Sequence, residues 1–441
     1  MAKSATYLAF DFGAESGRAV IGELTGGKVS LREIHRFPTG GTILPTGMHW
    51  DVLGFFGEIR NGLRMAAAEV EELKGIGIDT WGVDFGLLDK DDVLLSNPWH
   101  YRDARTDGML DYVFDLVPRE EIFNQTGIQF MQLNTLFQLA AMVKQQSSLL
   151  DNAKRLLMIP DLFNFWLTGV KANEFSDATT TQFYNPREGR WATELLDRLG
   201  IPSGFLGEIV PPGTLLGPLH PSMQEQTNLG AVPVIAPATH DTGSAVAAVP
   251  ARGTNHAYIS SGTWSLPGLE VKEPLVTEAA LKYNFTNEGG VDGTFRFLKN
   301  VMGLWLIQEC RRTWEREGEV LDYVTITRMA SEAKPFLAVI DPDAELFLKP
   351  GDMPARIAQF CQESGQQVPS SKGELVRVAL ESLALKYKWT FEKLQEIRGG
   401  KLDTIHIVGG GGQNRLLSQF TANACGVPVI VGPYEATALG N

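Results

Sequence analysis

Cysteine is scarce in this chain: 441 residues hold three, Cys310, Cys361 and Cys425. Their odd number, their wide separation and the lack of any CxxC exclude a disulfide framework and a zinc ribbon, and leave reduced thiols. Long apolar runs are missing as well. Nothing approaches the roughly 18 to 20 residues a membrane helix needs, and no basic stretch followed by an apolar segment opens the chain as a secretory leader would. A cytoplasmic protein without a membrane partner is expected. Positive charge is in deficit, with 39 Lys and Arg against 52 Asp and Glu, a formal charge of −13 and a sequence pI near 5.1. A general nucleic-acid binder needs a basic footprint and is excluded. One nucleotide is not, because local amides, a metal and a few cations suffice to hold it.

What is present is an ordinary globular composition, 44% hydrophobic and 21% charged, in a chain long enough for two or three domains with cores of their own. Within it stand two aspartate signatures about 230 residues apart. Tyr7-Leu8-Ala9-Phe10 runs into Asp11-Phe12-Gly13-Ala14-Glu15-Ser16-Gly17-Arg18. Val232-Pro233-Val234-Ile235-Ala236 runs into Pro237-Ala238-Thr239-His240-Asp241-Thr242-Gly243. An apolar strand that ends in Asp and enters a Gly/Ser turn offers a carboxylate, backbone N–H donors and room for a phosphate. Asp11 suits a magnesium ion held partly through water, Ser16 and Gly17 a close approach of phosphates, and Arg18 their charge. The plain alternative is a hairpin with a polar tip. The first turn holds no GxxxxGK[ST]. Asp11-Phe12-Gly13 stands too near the N-terminus, with no HRD loop before it, to be the protein-kinase tripeptide. Asp241 suits the acceptance of a hydroxyl proton during phosphoryl transfer. Its plain alternative is a helix N-cap, and that of His240 a hydrogen-bonded structural histidine.

Strand-like and helix-like runs alternate throughout, which predicts an α/β fold. Strands are expected over 5–12, 18–24, 28–36 and 75–89. A helix opens at Asp51, where Val52, Phe55, Phe56, Ile59, Leu63 and Ala66 keep helical spacing. Residues 203–230 read as irregular connection. A domain boundary near 247 divides the chain into residues 1–246, for sugar binding and catalysis, and 247–441, for the nucleotide. The second half repeats the device of the first, with strands near 255–259, 281–286, 294–297 and 403–408, helices over 299–317 and 372–397, and the turn Gly409-Gly410-Gly411-Gly412. Three further segments are ambiguous alone. Asp79-Thr80-Trp81-Gly82-Val83-Asp84-Phe85-Gly86 pairs carboxylates with an aromatic, as a sugar site does, or is a strand and turn with a core Trp. Ser260-Ser261-Gly262-Thr263-Trp264 is a small-residue turn able to hold phosphates. Gly409–Gly412 permits close approach of an adenosine or pyrophosphate but lacks dinucleotide-fingerprint spacing.

Taken together these words resemble the FGGY carbohydrate kinases over nearly the whole chain. The specific ones are Gly77-Ile78-Asp79-Thr80-Trp81-Gly82-Val83-Asp84-Phe85, Tyr101-Arg102-Asp103, Thr239-His240-Asp241-Thr242 and Lys299-Asn300-Val301-Met302-Gly303-Leu304-Trp305-Leu306. The resemblance implies two actin/hexokinase-like (ribonuclease H-like) domains around a central cleft. It implies ATP- and Mg2+-dependent phosphorylation of L-rhamnulose at its 1-hydroxyl. Asp241 is then the proton acceptor. Gly86, His240, Thr242 and Asn300 face the ketose, Ala14, Glu15, Ser16, Gly17, Arg18, Thr263, Gln308 and Gly410 face ATP, and Asp11 faces the metal. A kinase for another deoxyketose or pentulose such as L-fuculose, or an inactive sugar-binding relative, are the alternatives. The expected partners are the ketose and ATP, in a monomer or weak homodimer. A disulfide found in some relatives is not expected, because Cys361 lacks a matching partner. Tyr434–Asn441 reads as the opening of a helix that family chains continue.

Overall fold

The structure, a computed structural model, describes residues 4–253 and 255–441. It contains two compact units. The first comprises Met1–Ala248, Glu270–Phe297 and Ala436–Asn441, the second Val249–Leu269 and Leu298–Glu435.

The first unit is built on a six-stranded sheet in the order Thr214–Pro218, Pro233–Ala236, Gly75–Asp79, Ser4–Phe12, Ser16–Thr25, Lys28–Pro38. Its three middle strands are parallel. They read as continuous apolar runs because both faces are covered: Leu8–Phe12 and all of Gly75–Asp79 are buried. The helix Val52–Glu69 covers one face with Val52, Phe55, Ile59, Leu63 and Ala66, and the Asp51 carboxylate caps it by accepting from the Gly54 N–H.

Residues 75–89 form two strands rather than one. Gly75–Asp79 and Phe85–Leu88 are separated by a turn in which Val83 has φ 67°. That left-handed conformation is unusual for a β-branched residue, and it redirects the chain beyond the end of a central strand. The expected strand at 281–286 is also replaced. The Thr277 side chain caps a helix, Glu278–Tyr283, which stops at Asn284 in a left-handed conformation, and the strand follows at Thr286–Gly289. The segment 270–297 groups with the first unit, where several of its polar groups find partners. Asn287 donates from its backbone N–H and side-chain amide to the Gly127 carbonyl at 3.0 and 2.9 Å, and Gly289 N–H donates to Thr179 Oγ1 at 2.8 Å. Phe295 meets Phe175 edge-on, with centroids 5.6 Å apart.

The second unit repeats the pattern. Trp264–Val271 pairs antiparallel with His256–Ser261, which runs parallel to Thr404–Val408, itself parallel to Val429–Val431. The helix expected from 299 begins at Trp305, because Val301–Met302 is spent as a short strand against Trp264–Ser265. The helix Lys372–Arg398 starts at a capping box formed by Ser371 and Glu374 and sends Tyr387 to the sheet, where its hydroxyl meets Ser265 Oγ at 2.6 Å. Cys310, Cys361 and Cys425 are free thiols. Among the described residues no helix is long and apolar enough to cross a membrane.

Candidate active site

The parallel strands of the first unit fix where its carboxylates lie. Asp11 and Asp79 are register partners near the ends of adjacent strands, so their side chains are forced close together. Arg18 is the partner of Asp11 on the antiparallel side, and its guanidinium forms an ion pair with Asp11. Asp79 is fully buried. Its Oδ2 accepts from the Asn441 amide, which also donates to the Phe10 carbonyl at 3.3 Å, while Oδ1 has no hydrogen-bond partner among the described residues. Burial, with Asp11 and Asp241 adding repulsion, holds the Asp79 carboxyl well above the usual range.

The loop after Pro233–Ala236 is tied to the same place. Thr80 N–H donates to the Thr239 carbonyl and Asp241 N–H to the Thr80 carbonyl, each at 2.8 Å. Asp241 opens the helix Asp241–Ala247. Its Oδ1 accepts from Thr242 N–H at 2.5 Å and Thr242 Oγ1 at 3.2 Å, and lies 3.5 Å from His240 Nε2. The side chain keeps about 30% of its surface exposed, so Oδ2 is available to a ligand. Burial raises its pKa; His240 opposes this and Asp11 adds to it. The structure thus brings Asp11, Arg18, His240, Asp241 and Thr242 together.

Beneath the loop lies a layer that sequence reading missed. Glu174 Oε2 accepts from Thr239 N–H at 3.0 Å and Thr239 Oγ1 at 2.8 Å, and His240 N–H donates to Ser176 Oγ at 3.1 Å. Asp161 and Asp177, buried nearby, are pushed well up, first by burial and then by neighbouring carboxylates. Behind His240 stand Glu288 and Arg296, also missed. A lone Arg inside Phe295-Arg296-Phe297-Leu298 was the available signal, since an apolar strand buries a cation only against partners.

Two sequence readings change. Asp84 does not offer itself to a sugar: it is wholly buried. It accepts from Trp50 Nε1 at 2.6 Å, Trp81 Nε1 at 3.1 Å, Tyr101 N–H at 3.2 Å and Gln138 Nε2 at 2.8 Å. It thereby anchors an aromatic wall in which Trp50 stacks on both Trp81 and His100 at 4.0 Å. Burial pushes its pKa to about 7. Gly86, expected to face the ketose, is packed among apolar side chains. It sits inside Phe85–Leu88 opposite Leu157, with Leu162 and Leu94 about 3 Å from where a Cβ would stand, surroundings that offer a hydroxyl nothing.

The turn of Ala14, Glu15 and Ser16 is half-exposed and held by Gly13 N–H donating to the Ser16 carbonyl at 3.0 Å. Gly17 is buried against the Phe37 ring, which a Cβ would strike; packing alone requires a glycine there. In the second unit the Thr263 carbonyl accepts from Gly303 N–H at 3.2 Å and Trp305 N–H at 3.1 Å, so this turn sits on the start of the helix carrying Gln308. Gln308 Oε1 is buried without a hydrogen-bond partner among the described residues. Gly409, at φ 85°, lies against the Ser261 carbonyl, where a Cβ would come within 2.9 Å; Gly410 has nothing within 4 Å of its Cβ direction. Gly411, beside Gly410, packs on Ser261 and Leu304, Gln308 N–H donates to the Leu304 carbonyl at 2.9 Å, and Asn300 precedes the short strand Val301–Met302.

Two α/β units of repeated topology, one with a half-exposed aspartate at its strand ends and one with a glycine turn, define the two-domain sugar-kinase class. The comparisons agree. Residues 6–248 match the N-terminal domain and residues 257–441 the C-terminal domain of the FGGY family of carbohydrate kinases. The chain is 44% identical over 437 residues to a rhamnulokinase of Bacteroides thetaiotaomicron, covering 99% of this chain and 89% of that one. It is 44% identical over 434 residues to one of Oceanobacillus iheyensis, covering 98% and 91%. Among solved structures, a xylulose kinase from Lactobacillus acidophilus superposes with TM-score 0.80 at 17% identity, covering 99% of this chain and 88% of that one. A Plasmodium falciparum glycerol kinase with ADP gives 0.74 at 14% identity, with coverage of 99% and 88%; these two share the fold. The chain belongs to the FGGY family of carbohydrate kinases.

Proposed function

We propose that this kinase transfers the γ-phosphoryl group of ATP to the 1-hydroxyl of L-rhamnulose, yielding L-rhamnulose 1-phosphate and ADP in L-rhamnose catabolism. The observation that carries the reading is the identity to rhamnulokinases along almost the full chain. The geometry of Asp241 supports it: one oxygen is pinned by Thr242 and the other is open. Asp241 takes the hydroxyl proton as the sugar oxygen bonds to phosphorus and the bond from phosphorus to the β–γ bridging oxygen breaks, with ADP as leaving group. His240, Thr242 and Asn300 are proposed to hold the ketose, and Ala14–Arg18, Thr263, Gln308 and Gly410 the nucleotide.

Among the described residues no group of three or more His, Cys, Asp or Glu side chains is arranged as a metal cage. Mg2+ carried in with ATP takes one or two carboxylates and otherwise phosphate and water. Asp11 is a hard oxygen donor of that kind and would hold it, and the ion would supply charge neutralisation for the phosphates. A cytoplasmic monomer or weak homodimer completes the proposal.

The test is ADP release with L-rhamnulose, L-fuculose, L-xylulose, L-ribulose and glycerol. L-rhamnulose should give the highest kcat/KM. A clear preference for L-fuculose or a pentulose moves the substrate, and sugar binding without ADP release from any of them removes the kinase reading.

A further inference from the structure

Arg296 is a fully buried cation whose contacts converge on the residue beside Asp241. Its Nε donates to the Gly289 carbonyl at 2.8 Å, which fixes the guanidinium plane. Its Nη2 lies 3.0 Å from His240 Nδ1, and Glu288 Oε2 stands 3.4 Å from both. A guanidinium only donates. Were Nδ1 to carry a hydrogen, it would face the Arg296 donor at 3.0 Å, with only the more distant Glu288 carboxylate, at 3.4 Å, left to accept it. Nδ1 is therefore an acceptor, and the ring hydrogen resides on Nε2, the nitrogen 3.5 Å from Asp241 Oδ1. Glu288 offsets the charge of Arg296 and faces the other side of the same pair, and the backbone N–H of His240 is fixed separately by Ser176.

We propose that Arg296 is a positioning residue: it locks His240 as the Nε2–H tautomer and turns that hydrogen onto the Asp241 carboxylate. Thr242 and His240 then hold one oxygen of the base from two directions, which leaves the other to the acceptor hydroxyl. A histidine with an unassigned tautomer would present a lone pair to a carboxylate as readily as a hydrogen, and the second arrangement alone favours the ionised base. The inference rests on Asp241 acting as base, but its first test does not.

That test is the 15N spectrum of histidine-labelled protein, in which the signal of His240, among seven histidines, is assigned by its loss in His240→Gln. The expected result is an unprotonated Nδ1 and a protonated Nε2 in the free enzyme. A protonated Nδ1 overturns the proposal without any variant having to fold. Kinetics supply the second test. Arg296→Met should lower kcat about 10- to 100-fold with a smaller change in the ketose KM, and Arg296→Lys should recover most of the loss. In a His240→Gln background, which keeps a donor near the Nε2 position, Arg296→Met should cost less than about threefold more, because the two act as one unit. Equal losses in both backgrounds overturn the proposal. No ADP release with any ketose alongside the expected tautomer would sink the proposed activity and leave the positioning intact.

Discussion

Asp241→Asn separates chemistry from architecture at one atom. The amide oxygen can replace Oδ1, which receives Thr242 N–H at 2.5 Å and Thr242 Oγ1 at 3.2 Å, so the loop is not disturbed. The amide nitrogen then occupies the place of Oδ2, where it donates and cannot accept a proton. Losing a general base costs about two to four decades of turnover, or about 3–5 kcal/mol of transition-state stabilisation. The stability consequence runs the other way. The folded-state pKa of Asp241 is raised by burial above its unfolded value. Its contribution to stability is full below the unfolded pKa and is lost as pH rises through the folded one. Above its folded pKa the buried charge is therefore a cost, and Asn removes it. The expected outcome is kcat down at least about a hundredfold, ATP binding retained, and a urea midpoint unchanged or higher. A steady-state ADP assay, nucleotide titration and urea denaturation read all three. Turnover within about fivefold of the parent would refute the base assignment. A large loss of kcat accompanied by a fallen midpoint would instead make Asp241 a structural cap.

Asp84 supplies a pH prediction. Its folded pKa of about 7 lies above an ordinary carboxyl near 3.9, so it weakens the fold as pH climbs from about 4 toward 7. The indoles of Trp50 and Trp81 donate to it, and tryptophan fluorescence should titrate with a midpoint near 7. The other ionisable neighbours, His100 at about 3 and Arg105 at about 10, do not titrate there. A signal that persists in Asp84→Asn contradicts the assignment. In the second unit, Tyr387→Phe leaves Ser265 Oγ buried without its 2.6 Å partner. It should cost about 1–3 kcal/mol in urea denaturation at unchanged m-value, and the double variant Tyr387→Phe, Ser265→Ala should recover part of it. Additive losses would mean the pair does not interact.

What the sequence made legible follows the range of each signal. Asp11 and Asp241 were readable because everything that places them is local: an apolar strand, then a carboxylate, then small residues. Glu174, Glu288 and Arg296 were not, because each reaches the Thr239–Asp241 loop from a distant segment. The strand expected at 281–286 is a helix capped by Thr277, and Glu288 stands on the strand that follows it. Gly86 was chosen on the word Trp-Gly-Val-Asp-Phe-Gly, but the break at Val83 starts a new strand, and inside it alternation sends the glycine into leucines. Asp84 looked like a sugar ligand because an aspartate beside tryptophan has two uses. Only the indole N–H directions tell a carboxylate that binds hydroxyls from one that binds the aromatics themselves.

Placing three carboxylates at adjoining strand ends creates a problem that the sheet cannot avoid, since neighbouring strands lie only about 4.8 Å apart. Three ionised groups there would repel one another at full strength in a partly dehydrated site. The structure resolves each one differently. Asp11 is neutralised by Arg18 across the hairpin. Asp79, the most deeply buried, is driven toward its protonated form and handed the Asn441 amide as a partner. Asp241 alone keeps exposed surface, together with donors on a single oxygen. Limiting the charge of its two neighbours lessens the repulsion that opposes ionisation of Asp241. The catalytic assignment therefore depends on Arg18 and Asn441 as much as on the aspartate. A metal–nucleotide arriving at Asp11 would meet a site whose net charge has already been limited, rather than a concentrated negative cage that would hold the ion too tightly to release it with ADP.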